Sequence, residues 1–166
     1  DRPDDVYRAL VTLLEQSSAD MNIVVRYVGE ALGSVPDAGR WLGVMQRLAG
    51  HLPDRPEVHL ARGFVAHRAG HLDQAEASVG RALQLRPGWE EAAIFQISWW
   101  NDARKRDAIK TFAEEFLAAY PDRGHFQLVF AGLLVQWEDN HAALQQVRYL
   151  VEREPENSDA MFAAGL

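Results

Sequence analysis

No cysteine occurs anywhere in the chain. That absence removes disulfides, thiolate metal centres and thiol nucleophiles together, and it suits a reducing or an oxidising compartment equally, so location stays open. No apolar run approaches the roughly 18 to 20 residues that a membrane-crossing helix needs. Positive charge is scarce: 17 Lys and Arg stand against 24 Asp and Glu, a net charge of −7 spread along the chain. A nucleic-acid surface needs clustered Lys and Arg to meet phosphates, and none is present. Serines are few, none sits in a nucleophile-elbow sequence, and no glycine-rich phosphate loop follows a strand, because no segment has strand periodicity.

Hydrophobic residues make up 48% of the 166, too many for a disordered chain and enough for a sizeable core. They recur at helical spacing. The most regular stretch is Pro56 to Pro87, where Val58–Ala69 and Leu72–Leu85 read as two amphipathic helices parted by Gly70-His71, with Asp73 placed to cap the second and Pro87 beyond its end. Steps of 34 residues from Pro87 land on Pro53, Pro121 and Pro155, so four of the seven prolines share one phase. The same steps from Gly63 land on Gly29, Ile97, Ala131 and Gly165, mostly small residues where two helices must approach closely. From Ala75 they land on Trp41, Ile109 and Ala143.

With Gly63, Gly70, Ala75, Ala82, Leu83 and Pro87 as its markers, the stretch resembles a tetratricopeptide (TPR) repeat. The resemblance covers about residues 22–166 and implies an all-α, right-handed α-solenoid of helix-turn-helix repeats, about four hairpins with partial repeats at each end. The repeats would be 22–55, 56–89, 90–123 and 124–157, with partial repeats 1–21 and 158–166, in a single domain. The alternative is a plain helical bundle whose spacing is coincidental.

Taken in order, helices are expected at Asp4–Glu15, Asn22–Leu32, Ala38–Ala49 with Asp37 as cap, Val58–Ala69, Leu72–Leu85, Trp89–Asn101, Arg106–Tyr120, Phe126–Trp137 and His141–Glu152, and a last one opens at Ser158. Ala108 falls one place before the Ala75 phase, which predicts a shortened or shifted turn before it. Arg62 stands where TPR repeats have a large apolar residue, and its stem is expected along the helix with the guanidinium at solvent or on a carboxylate. Trp100 lies where the family has a core aromatic and Trp41 on a buried stripe; Trp89, Trp99 and Trp137 are less determined. Because adjacent helix residues point about 100° apart, Trp99 and Trp100 cannot both face one core contact.

Chemistry is thinly represented. His67 and His71 have an i, i+4 spacing suited to a metal, but Gly70 ends the helix between them and no acidic partner follows, so no metal and no cofactor is expected. His59 reads as a contact with a neighbouring element. The pairs Asp4-Asp5 and Glu90-Glu91 begin helices, where the macrodipole accounts for them.

The resemblance places a ligand on an inner, concave face lined by the first helix of each hairpin. That face would present Arg26 and Glu30, then Leu60, Phe64, His67 and Arg68, then Ile94, Ser98 and Asn101, then Leu128 and Val135. An apolar centre with polar ends suits an extended peptide or a partner helix. TPR domains that grip the carboxylate end of chaperones use lysines and asparagines there, and Leu60, Phe64, Ile94 and Ser98 exclude that use. The implied function is a non-catalytic scaffold for a protein or peptide partner, with no nucleic acid and no membrane-spanning segment; the second reading is the regulatory arm of a larger enzyme such as a transferase or hydroxylase. The chain begins at Asp1 and ends inside a helical pattern, which reads as a piece of a longer protein. Met161 and Phe162 on the last helix are therefore expected to mediate self-association, since a repeat buries its apolar face only against a neighbour.

Overall fold

The computed structural model describes Arg8, Thr12, residues 38–158, Met161 and Ala163. The expectations for Asn22–Leu32, the Asp37 cap, Gly29, Arg26, Glu30, Phe162 and Gly165 lie outside these residues. Arg8 and Thr12 are helical, and the Thr12 hydroxyl donates to the Arg8 carbonyl. The described residues otherwise form seven helices and no strand: α1 Ala38–His51, α2 Pro56–Arg68, α3 Leu72–Leu85, α4 Glu90–Asp102, α5 Arg106–Ala119, α6 Gly124–Gln136 and α7 Asn140–Arg153. A further helix opens at Ser158, with Met161 N–H donating to Asn157 O. Every described helix is all-α in a helical-repeat register, since α2, α4 and α6 start 34 residues apart, as do α3, α5 and α7.

The register follows from local chemistry at the helix ends. The second helix of each pair stops before Pro53, Pro87, Pro121 or Pro155, because proline lacks the N–H that another helical turn requires. The turns that follow α2, α4 and α6 each hold a residue of positive φ just past the C-cap: Gly70 (79°), Arg104 (57°) and Glu138 (65°). At each of these turns the next amide reaches back five residues: His71 to Ala66 O, Lys105 to Trp100 O and Asp139 to Leu134 O, all at 2.9 Å. These bonds satisfy carbonyls that a helix end leaves open.

The chain divides into two compact units, residues 1–87 and 88–166. In the first, α2 packs on both α1 and α3. Gly63 is the reason α2 and α3 come so close: a Cβ there would stand 2.9 Å from Val79 Cγ2 and 3.2 Å from Ala75 O. Met45, Leu48, Val58, Leu60, Val65 and Val79 fill the interior. In the second unit, α4 packs on α5 and α6, and α6 on α7. Ile97 and Ile109 stand at the Gly63 and Ala75 positions, both fully buried, and their bulk leaves α4 and α5 less closely apposed than α2 and α3. Aromatic rings occupy the space: Phe116 lies 4.6 Å from Phe126, and Phe112 lies 5.7 Å from Trp100, edge on.

Several expectations change. The α5 turn is neither shortened nor shifted, because α5 starts in phase and buried Ile109, not exposed Ala108, fills the column. Asp73 is not the cap of α3; His71 holds that place without a side-chain bond, and Asp73 sits in the first turn. Among the described residues the Arg62 guanidinium meets no carboxylate: its Nε donates to Ser78 Oγ at 3.0 Å, and that hydroxyl donates to Gln74 O at 2.6 Å. Trp89 is buried, and Trp99 packs on Phe95 at 5.7 Å while Trp100 packs on Phe112.

A residue with a Cβ loses roughly 1 to 2 kcal/mol in the left-handed region relative to the right-handed one. Arg104→Gly and Glu138→Gly are therefore expected to raise stability by about 0.5 to 1 kcal/mol each, after the greater entropy of glycine in the unfolded chain. Gly70→Ala should lower it by about 1 kcal/mol. Urea unfolding of the three variants checks the signs, and equal midpoints would show that the turns tolerate a side chain freely.

Candidate functional site

The inner-face positions divide between the two units. In the first, α2 carries Leu60, Phe64, His67 and Arg68. Leu60 is 1% exposed and belongs to the interior, so it offers no surface to a ligand; Phe64 and His67 are half-buried and Arg68 is exposed. In the second, α4 carries Ile94, Ser98 and Asn101, all half-buried, and α6 carries half-buried Leu128 and exposed Val135. Asn101 is committed within the fold: its Oδ1 accepts from Trp137 Nε1 at 2.9 Å and its Nδ2 donates to Gln136 Oε1 at 3.1 Å. It ties the end of α4 to the end of α6.

Leu128 and Val135 open onto a hollow of about 540 Å³ within the second unit. From α6 come Leu128, Gly132 and Val135, from α7 Ala143, Leu144 and Val147, and Ala163 stands on the far side. No lining residue is charged. The hollow exists because small residues stand where others are large. Two steps of 34 from Phe64, and one from Ser98, land on Gly132, and a Cβ there would meet nothing within 4 Å. Ala131 and Ala143 keep the floor low. Val135 is 56% exposed and Leu144 40%, which leaves two large apolar side chains at the rim. Gly132 and Leu144 are absent from the sequence reading; the repeat phase points to Gly132, whereas Leu144 lies on a second helix, outside the inner-face column.

The α7 wall is held by Asp139. Its carboxylate accepts from Lys110 Nζ at 2.8 Å and from Ala142 N at 3.4 Å, capping α7. The Lys110 hydrogen bond first, and the Ala142 amide second, hold the Asp139 carboxyl below its ordinary value of 3.8. At the opposite end of α6, Glu90 Oε1 accepts from Phe126 N at 2.7 Å and Arg123 Nε donates to Gly88 O at 2.9 Å. Glu90 thus does more than begin α4, since it caps the first turn of α6.

Among the described residues no group of three His, Cys, Asp or Glu side chains is placed to hold a metal. His67 and His71 lie on either side of the Gly70 turn, and His71 is the N-cap of α3. The His59 ring is buried with its Nε2 2.7 Å from Pro53 O, so its contact is with the preceding loop. No helix among the described residues is long and apolar enough to cross a membrane.

No protein-family model matches the sequence, and no curated protein matches it. Solved structures do match its fold. MamA residues 41 to the end from Desulfovibrio magneticus RS-1 aligns with a TM-score of 0.56 at 16% identity over 90% of this chain and 84% of that one. A MamA RS-1 ArsTM double mutant gives 0.57 at 16% identity over the same shares. YrrB, described as a TPR protein with an unusual peptide-binding site, gives 0.54 at 14% identity over 90% of this chain and 82% of that one. At such identities the likeness shows the fold alone: this chain has a TPR-like, all-α helical-repeat fold.

The lowered Asp139 value carries a definite sign. Its stabilisation is complete above the ordinary 3.8 and is lost as pH falls through the lower folded value. Asp139→Asn keeps a good cap residue and removes the charge that Lys110 meets. The variant is expected to melt below wild type at neutral pH, with the gap closing as the solution is acidified below pH 4. A gap that persists unchanged in acid, read by thermal unfolding across a pH series, would assign the loss to packing rather than charge.

Proposed function

We propose that this chain is a non-catalytic scaffold that binds an apolar helix or extended peptide of a partner protein, with the α6–α7 hollow as a principal contact. The observation that carries the reading is an uncharged hollow of about 540 Å³ rimmed by Val135 and Leu144. Burying either side chain fully contributes roughly 1.5 to 3 kcal/mol, enough for these two to act as anchors even after ordering costs. The unusual peptide-binding site of YrrB, a TPR protein of similar fold, supports the same use. The inner-face residues Phe64, His67 and Arg68 on α2, and Ile94 and Ser98 on α4, extend the proposed contact in each unit. Leu60 and Asn101 act from beneath it, the first as core and the second as a tie between helices.

The same apolar end supports pairing between copies. Met161 is 36% exposed on the helix that opens at Ser158, and Phe162 follows it in sequence. Self-association through these two residues and the α7 face is the second part of the proposal.

Peptides selected for binding from a random display library test the first part. They should carry bulky apolar residues at i, i+4 spacing, and Val135→Asp with Leu144→Asp should weaken them by at least roughly tenfold, about 1.4 kcal/mol. Selected peptides that bind the double variant as tightly as wild type would place recognition elsewhere. For the second part, sedimentation over a concentration series should show self-association that Met161→Asp with Phe162→Asp abolishes. A wild-type chain that stays monomeric at high concentration refutes it.

A further inference from the structure

A second groove lies in the same unit and shares no residue with the hollow. It runs between α5 and α7 over α6, with a volume of about 410 Å³. Its floor is Phe130 and Gln127, its sides are Leu117 and Tyr149, and its rim carries Glu114 and Gln145. The buried hydrogen-bonding capacity left unmet here is an acceptor. Gln127 is 2% exposed, and its Nε2 donates to Gln146 O at 2.9 Å and to Gln146 Oε1 at 3.2 Å. Two acceptors fix the orientation of that amide, so the atom left over is its oxygen, which has no donor. A buried acceptor without a donor is costly, roughly 1 to 3 kcal/mol in general, and is met in few places in a folded protein. At the rim the Glu114 carboxylate and the Gln145 amide have no hydrogen-bond or ion-pair partner among the described residues. No cation lines the groove. The Tyr149 ring, 51% exposed, already carries the Arg153 guanidinium 5.5 Å from its centroid, which shows that a cation and this ring suit each other.

We propose that this outer groove takes an arginine side chain presented by a partner protein. Charge complementarity selects the occupant: a carboxylate and an orphaned amide oxygen call for a cation with several donors, in a chain of net charge −7. A guanidinium offers five donors in one plane and serves Glu114 and Gln127 at once, whereas an ammonium acts as a compact, strongly hydrated point charge. The arginine stem lies on Leu117 and Phe130, and its plane stacks on Tyr149. The site is independent of the hollow and stands whether or not a helix binds there.

The test is amide chemical-shift titration of the full chain with the capped peptide Gly-Leu-Arg-Leu-Gly and its citrulline and lysine forms. The arginine peptide is expected to shift the amides around Leu117, Gln127 and Tyr149 saturably, and to bind roughly tenfold more tightly than the uncharged citrulline form. Glu114→Gln, a change at an exposed position, should weaken the arginine peptide several-fold, while Val135→Asp in the hollow should leave it unchanged. Equal binding of the citrulline form, no effect of Glu114→Gln, or shifts centred on Val135 and Leu144 would each overturn the proposal. A lysine form that binds as well as arginine overturns the assignment to a guanidinium.

Discussion

The distance between the two helices of a hairpin is the quantity on which the rest of each unit depends. At Gly63 nothing projects from α2, and Val79 and the Ala75 carbonyl move into the space that a Cβ would take. At the same repeat position in the second unit Ile97 projects, and across from it Ile109 replaces an alanine. The helix starts keep their 34-residue spacing all the same, because it is set by the turns and the prolines rather than by the core. What changes is the volume to be filled. Close packing does not tolerate a void, so the wider hairpin recruits Trp100, Phe112, Phe116 and Phe126 into one aromatic cluster.

Polar ties in the second unit gather at helix ends, where backbone groups lack helical partners. Glu90 caps α6, Asp139 caps α7 and holds Lys110, Asn101 joins Trp137 and Gln136, Arg123 reaches Gly88 O, and Arg153 donates to Pro121 O. Ends fixed in this way leave the long sides of the helices to pack, and some of those sides stay open. The hollow between α6 and α7 has no charged residue in its lining, whereas the groove facing α5 is lined by Glu114, Gln127, Gln145 and Gln146 among others. One pair of helices thereby carries two surfaces of different chemistry.

Legibility varied with the kind of cause. The prolines and Gly70 were readable because their backbone chemistry acts locally, whatever packs around them. Arg104 and Glu138 were not, since nothing in either side chain favours positive φ; the repeat turn imposes it on them. Leu60 was assigned to an inner face by phase alone, whereas the packing around α2 buries it. Ser78 as the partner of Arg62, and Gln146 as the partner of Gln127, join residues 16 and 19 positions apart across two helices, a pairing that helical periodicity within one element does not report.

The amino-acid order by itself determined the all-α class, the 34-residue period, the ends of the seven described helices to within two residues and the absence of thiol chemistry. Each rests on a property that a residue carries wherever it is put: a missing N–H, a missing Cβ, a hydrophobic face repeating every three or four residues. Only the tertiary structure decided which apolar residues are surface and which are core, that Gly132 leaves a hollow while Gly63 closes a gap, and that the Gln127 oxygen is left without a donor. Those outcomes depend on the summed volume and hydrogen-bonding capacity of side chains from three helices at one point, and no single stretch of sequence contains that sum.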